Sequence, residues 1–113
     1  MTLRELAETL ELKVLAGAPE MGRKVAGGYA SDLMSNVMAN AEKGDVWITV
    51  QIHQNIVAVA SLKELAGIII SNGRAPEGDT VEKAEKESVP IMVSGLTSFE
   101  LAGRIYELLS KKA

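Results

Sequence analysis

The side chains best placed to do chemistry fall in four short polar runs: Gly27-Gly28-Tyr29-Ala30-Ser31-Asp32, Gln51-Ile52-His53-Gln54-Asn55, Ser71-Asn72-Gly73-Arg74 and Ser94-Gly95-Leu96-Thr97-Ser98. Hydroxyls, carboxamides and backbone N–H groups donate to anionic oxygens, and a guanidinium does so through two parallel bonds. The chemistry these runs support is therefore capture of a small anionic metabolite or a nucleotide. The candidate binding set is Gly27, Gly28, Tyr29, Ser31, Asp32, Gln51, His53, Gln54, Asn55, Asn72, Arg74, Ser94 and Thr97. Helix caps and tight turns select Ser, Thr, Asn and Gly as well. His53 and Arg74 tip the balance toward a site, because no turn requires either.

Catalysis has less behind it. A hydroxyl nucleophile needs a base beside it, and His53 is the one imidazole in the chain. A cluster of Asp32, His53 and Ser71 or Ser94 forms only if their loops converge, which the spacing does not demand. Hydrolase or phosphotransferase activity through His53 is accordingly the third reading, behind two non-catalytic ones. No catalytic residue is assigned. With no cysteine, thiolate metal sites and disulfides do not arise, and no metal or cofactor is expected. The acids Glu42, Asp45, Glu77, Asp79, Glu82, Glu85 and Glu87 read as solvated helix surface or caps. Gly17-Ala18-Pro19-Glu20-Met21-Gly22-Arg23-Lys24 has the glycine spacing of a P-loop. It lacks the Lys-Ser/Thr ending and sets Glu20 where phosphate would lie, so it reads as a surface loop.

These runs need elements to hold them. The chain has 113 residues, 47% hydrophobic and 4% aromatic, which suits one domain, 1–113, with an aliphatic core of strands covered on both faces. Its net charge of −3 argues against nucleic-acid partners, which demand a basic surface. Charges at the N-terminus and apolar runs of about five residues exclude a signal peptide and a membrane span on this reading, leaving the cytoplasm.

Thr2 with Glu5 predicts a capping box opening a helix over Leu3 to Leu10. Strands are expected over Glu11 to Ala16, Lys24 to Ala26, Asp45 to Gln51, Gly67 to Ser71 and Pro90 to Ser94, the third being the clearest. Helices are expected over Ser31 to Ala41, from Asn55 as cap to about Leu65, where Ile56 to Ala60 would suit a strand by propensity alone but the alternation of elements favours helix, and over Asp79 to about Glu87. Asp79 with Glu82 would be a second capping box, and Thr97 with Glu100 a third. That third box opens a final helix whose apolar face is Phe99, Ala102, Ile105, Tyr106 and Leu109. The alternation of strand and helix predicts a three-layer α/β/α domain with a mainly parallel sheet of four to five strands. The four polar runs would then share the carboxyl edge of the sheet, where helix N-termini converge.

Gly27-Gly28-Tyr29-Ala30-Ser31-Asp32-Leu33-Met34-Ser35, continued by Gln51 to Ala60 and by Gly67-Ile68-Ile69-Ile70, resembles the DRTGG domain family over nearly the whole chain. Gly27-Gly28 match the last two glycines of the name motif. Lys24-Val25-Ala26 stand where Asp-Arg-Thr would be, so no role of that Asp-Arg pair carries over. The resemblance implies a fold like the N-terminal domain of HPr kinase/phosphorylase and, more distantly, the N-domains of Mur ligases. It also implies an accessory regulatory or dimerising role without catalytic residues. Two functional readings follow: a homodimeric module that binds a small anionic ligand at the strand ends, or a protein-interaction adaptor without one. For the adaptor, the expected surface is the helix from Asn55, apolar around its first half, with Met34 and Met38 on another helix.

Overall fold

A computed structural model describes residues 1–112. The elements run α1 (Leu3–Leu10), β1 (Lys13–Ala16), a 3-10 turn (Ala18–Glu20), β2 (Gly27–Ala30), α2 (Met34–Asn40), β3 (Asp45–Thr49), α3 (Asn55–Leu62), β4 (Gly67–Ile70), α4 (Gly78–Glu87), β5 (Ile91–Val93) and α5 (Ser98–Lys112). The sheet order is β1-β5-β4-β3-β2. Strands β2 to β5 are parallel, and β1 closes the β5 edge antiparallel with a bulge between Val14 and Ala16.

Strand alternation sorts the core into two layers. Val46, Ile48, Ile69 and Met92 point to one face, where they pack with Leu3 and Leu6 of α1 and Leu101 and Ile105 of α5. Trp47, Ile68, Ile70 and Ile91 point to the other, against Val37 of α2, Ile56, Val57 and Ala60 of α3, and Ala84 of α4. The three-layer α/β/α expectation therefore holds. The β2-to-β5 crossovers all lie on the second face, as right-handed connections stepping one strand at a time require. Among the described residues no helix is long and apolar enough to cross a membrane.

Several expectations change. The second strand is Gly27–Ala30 rather than Lys24 to Ala26. Val25 is buried with the α1 layer and its N–H goes to the Met1 carbonyl at 2.9 Å, whereas Gly27–Ala30 gains a four-residue ladder with β3. The Thr2–Glu5 box forms completely. At Asp79 it does not: α4 begins at Gly78 behind Glu77, whose side chain caps nothing. Thr97 supplies half of its box, accepting from the Glu100 N–H at 3.2 Å. Asn55 is the first residue of α3 rather than its cap. The final helix buries Leu101 and Ile105 and leaves Phe99 90% and Tyr106 76% exposed, so its core face is rotated from the expected one. The largely apolar α3 is packed between the sheet, α2 and α4, which buries Ile56, Val57 and Ala60 and leaves Leu62 exposed.

Candidate functional site

Because β2 to β5 are parallel, their exits lie along one rim. The β2 and β3 exits are joined through Asp32, whose Oδ1 accepts from the Thr49 hydroxyl at 3.0 Å and the Val50 N–H at 2.8 Å. The Gln51 carboxamide donates to the Asp32 carbonyl at 2.9 Å, and the Trp47 indole donates to the Ser31 carbonyl at 2.8 Å. Short polar side chains win at these positions because each carries an acceptor or donor back to a neighbouring strand end. Arg74, leaving β4, donates through Nη1 to the Val50 carbonyl at 2.7 Å, which links the β3 and β4 exits.

The β4 and β5 exits are joined by main-chain bonds: Asn72 N–H to the Leu96 carbonyl and Gly73 N–H to the Ser94 carbonyl, both at 2.8 Å. Behind them the hydroxyls of Ser71 and Ser98 lie 2.6 Å apart. This junction is where a ligand crevice belongs in an open α/β sheet, since the chain leaves β4 toward the α4 face and β5 toward the α5 face. Here direct hydrogen bonds fill it. The residues left presenting polar groups outward are therefore those over β3 and β4.

There His53, exposed, places Nδ1 3.0 Å from Glu77 Oε1. The segment before α4 is held against the β3 exit by Glu77 N–H and the Thr80 hydroxyl, both donating to the Ile52 carbonyl at 3.2 and 2.7 Å. Among the described residues, the side chains of Gln54, Asn55 and Asn72 make no hydrogen bond, and Arg74 uses only Nη1. The exposed ionised side chains of the rim are thus Arg74 against Asp32 and Glu77.

Ten of the thirteen candidate residues lie on this rim or at the start of α3: Ser31, Asp32, Gln51, His53, Gln54, Asn55, Asn72, Arg74, Ser94 and Thr97. Gly27, Gly28 and Tyr29 do not, because they form β2 itself. Gly27 sits at the opposite end, where an added Cβ would lie 2.9 Å from the Asp45 carboxylate. Tyr29 turns its hydroxyl to Asn36 Oδ1 at 2.5 Å. The Asp32-His53-serine cluster does not assemble: Asp32 serves Thr49 and Val50, His53 serves Glu77, and Ser71 serves Ser98. Glu77, which from sequence reads as helix surface or cap, occupies the N-cap position of α4 but aims its carboxylate at His53. The Pro76-Glu77-Gly78 break before α4 was its signal, since a residue ahead of a helix is free to aim its side chain elsewhere.

The P-loop-like segment lies at the other edge of the sheet. Its Gly17 N–H donates to Glu85, Glu20 pairs with Arg23 at 3.5 Å, and Arg23 donates to the Ser88 carbonyl at 2.8 Å. No phosphate cradle is formed. A cleft of about 420 Å³ at this edge is lined by Arg23, Lys24, Lys43, Glu64 and Glu87 among others, a mixed-charge wall around a small apolar floor. No group of three or more potential metal ligands occurs among the described residues.

The fold is shared with the CBS and DRTGG domains of the regulatory region of Clostridium perfringens pyrophosphatase, a structure complexed with its activator diadenosine tetraphosphate. The two superpose with a TM-score of 0.68 at 17% identity over 93% of this chain. This chain spans 45% of that one. No curated protein matches it. The model of the DRTGG domain family matches residues 5–108, and the chain belongs to the DRTGG domain family.

Proposed function

We propose that this chain is a non-catalytic, cytoplasmic regulatory module that works as a homodimer and binds a small anionic metabolite or nucleotide on the rim over β3 and β4. The observation that carries the reading is Arg74. Its Nη1 is anchored on the Val50 carbonyl, which fixes the guanidinium plane while Nε and Nη2 stay available for the two parallel bonds a phosphate accepts. Gln54 and Asn55 bring further carboxamide donors at the start of α3, where the helix dipole favours negative charge. The family and the nucleotide-bound regulatory region of similar fold add weight.

The test is isothermal titration of the purified chain with inorganic phosphate, AMP, ATP and diadenosine tetraphosphate. At least one should bind, and Arg74→Ala should weaken it about tenfold or more, the value of one charge-assisted bond of ~1.5–3 kcal/mol. Silence with all four, or affinity unchanged in both Arg74→Ala and His53→Ala, sinks the reading. The second reading, a protein-interaction adaptor without a small ligand, draws on the exposed aromatics of α5. Hydrolase or phosphotransferase activity through His53 is the weakest reading, and it predicts turnover abolished by His53→Gln.

A further inference from the structure

Deepening the homodimer reading above, we infer that the exposed stripe of α5, Phe99, Gly103, Tyr106 and Ser110, is the surface on which a second copy of this chain packs, helix against antiparallel helix. These positions are spaced 4, 3 and 4 residues apart, the repeat that keeps a seam on one side of a helix facing a partner helix. Phe99 and Tyr106 stand almost fully in solvent, 90% and 76% exposed, while Leu101 and Ile105 on another face of the same helix anchor it to the sheet.

Gly103 is the second observation. Glycine weakens a helix interior through its backbone freedom, so a glycine there calls for a local reason. Within the chain it has none, since an added Cβ would meet nothing within 4 Å. A second helix passing close by supplies the reason. If two copies of α5 cross about a twofold axis midway between Arg104 and Ile105, Tyr106 of each faces Gly103 of the other, and Phe99 faces Ser110. Both aromatic knobs then meet small residues, so one surface is complementary to itself, as a twofold interface requires.

Charge and area agree. The flank carries Glu100 with Arg104 at 3.5 Å and Glu107 with Lys111 at 3.4 Å, two internally neutralised pairs that present no net charge against a second copy. Beside the stripe a hollow of about 160 Å³ between α5 and the open edge strand β2, lined by Tyr106, Leu109, Gly28 and Ala30 among others, offers room for an incoming ring. Burying Phe99 and Tyr106 from both copies removes roughly 650 Å² from water, at about 200 Å² per ring. The hollow and the aliphatic parts of the flank bring the interface toward the ~1,200 Å² at which specific association begins. A reversible, micromolar-class dimer is expected.

Sedimentation velocity over a broad concentration series tests this on the full chain. The wild type should shift from monomer to dimer, and Tyr106→Glu and Gly103→Glu should each raise the dissociation constant at least ~30-fold, as central interface residues do. Gly103→Ala gives a readout that a merely structural glycine cannot: it should raise the melting temperature of the dilute monomer while weakening the dimer. A chain that stays monomeric throughout overturns both the homodimer and this surface. A dimer indifferent to both glutamate variants overturns the surface alone. Nucleotide titration of dilute Tyr106→Glu protein reports on the rim separately, because that residue lies outside it.

Discussion

Replacing Asp32 by alanine should lower stability by about 2 kcal/mol and at the same time tighten anion binding. The carboxylate accepts from the Thr49 hydroxyl and the Val50 N–H. Val50 is half-buried, so water takes over much of that bond at a cost of about 0.5 kcal/mol. Thr49 is fully buried, and its hydroxyl loses its acceptor behind the surface, which costs roughly 1–3 kcal/mol. In a domain of this size 1 kcal/mol moves the melting temperature by about 4 °C, giving a drop of about 8 °C. Asp32→Asn keeps an acceptor oxygen at the same place and should cost about half as much. Removing the negative charge also removes an opponent of bound phosphate, worth several-fold in affinity at the ~1 kcal/mol of a solvent-screened pair. Circular-dichroism melts of the two variants with paired phosphate or nucleotide titrations check both signs. A melting point for Asp32→Ala within about 2 °C of wild type would refute the stitching role. Equal losses for Ala and Asn would show that charge, and not the acceptor, holds the two strand ends.

At Gly17, φ is 72° and a Cβ would lie 2.5 Å from the Cα of Pro90. Gly17→Ala should therefore cost about 3 kcal/mol or more from left-handed strain and overpacking together, whereas Gly78→Ala, with open space around its Cβ, should lie within about 0.5 kcal/mol of wild type; urea denaturation separates them. The capping boxes give a matched pair. Thr2→Ala should lose about 1 kcal/mol because its box is closed at both ends, and Asp79→Ala should change stability by less than about 0.5 kcal/mol, as measured by thermal melts.

What the sequence disclosed follows from where the information sits. Trp47 within Asp45 to Thr49 and the run Ile68-Ile69-Ile70 announce strands buried on both faces through their own side chains, and the Thr2 box announces a helix through two local partners. The β2 strand was hidden because Gly27 and Gly28 have little intrinsic preference for a strand. What makes them one is the ladder to β3, whose first residue Asp45 lies 18 positions downstream of Gly27. On α5 the apolar residues fill two overlapping faces, and which one the sheet takes depends on how α5 lies over β2 and β3, a matter the helix's own sequence does not specify. Recognising Leu101 as the anchor beside Ile105 would have freed Phe99 and Tyr106. The four polar runs did mark the rim, but the filling of the β4–β5 junction rests on backbone N–H groups of Asn72 and Gly73, which every sequence possesses and none advertises.

That junction gives the rim two unequal capacities for change. Over β4 and β5 the shape is kept largely by main-chain atoms, so apart from the left-handed turn at Asn72 and Gly73 (φ 62° and 66°) and the Ser71–Ser98 hydroxyl pair behind it, the exposed side chains there can be exchanged with little effect on the scaffold. Over β2 and β3 the shape depends on side chains, the Asp32 carboxylate together with Gln51 and Trp47, and any residue that replaces Asp32 must supply an acceptor at the same point. Retuning of what the domain recognises, in a laboratory library or across related chains, is thereby channelled toward one end of the rim, with the other end acting as its fixed frame.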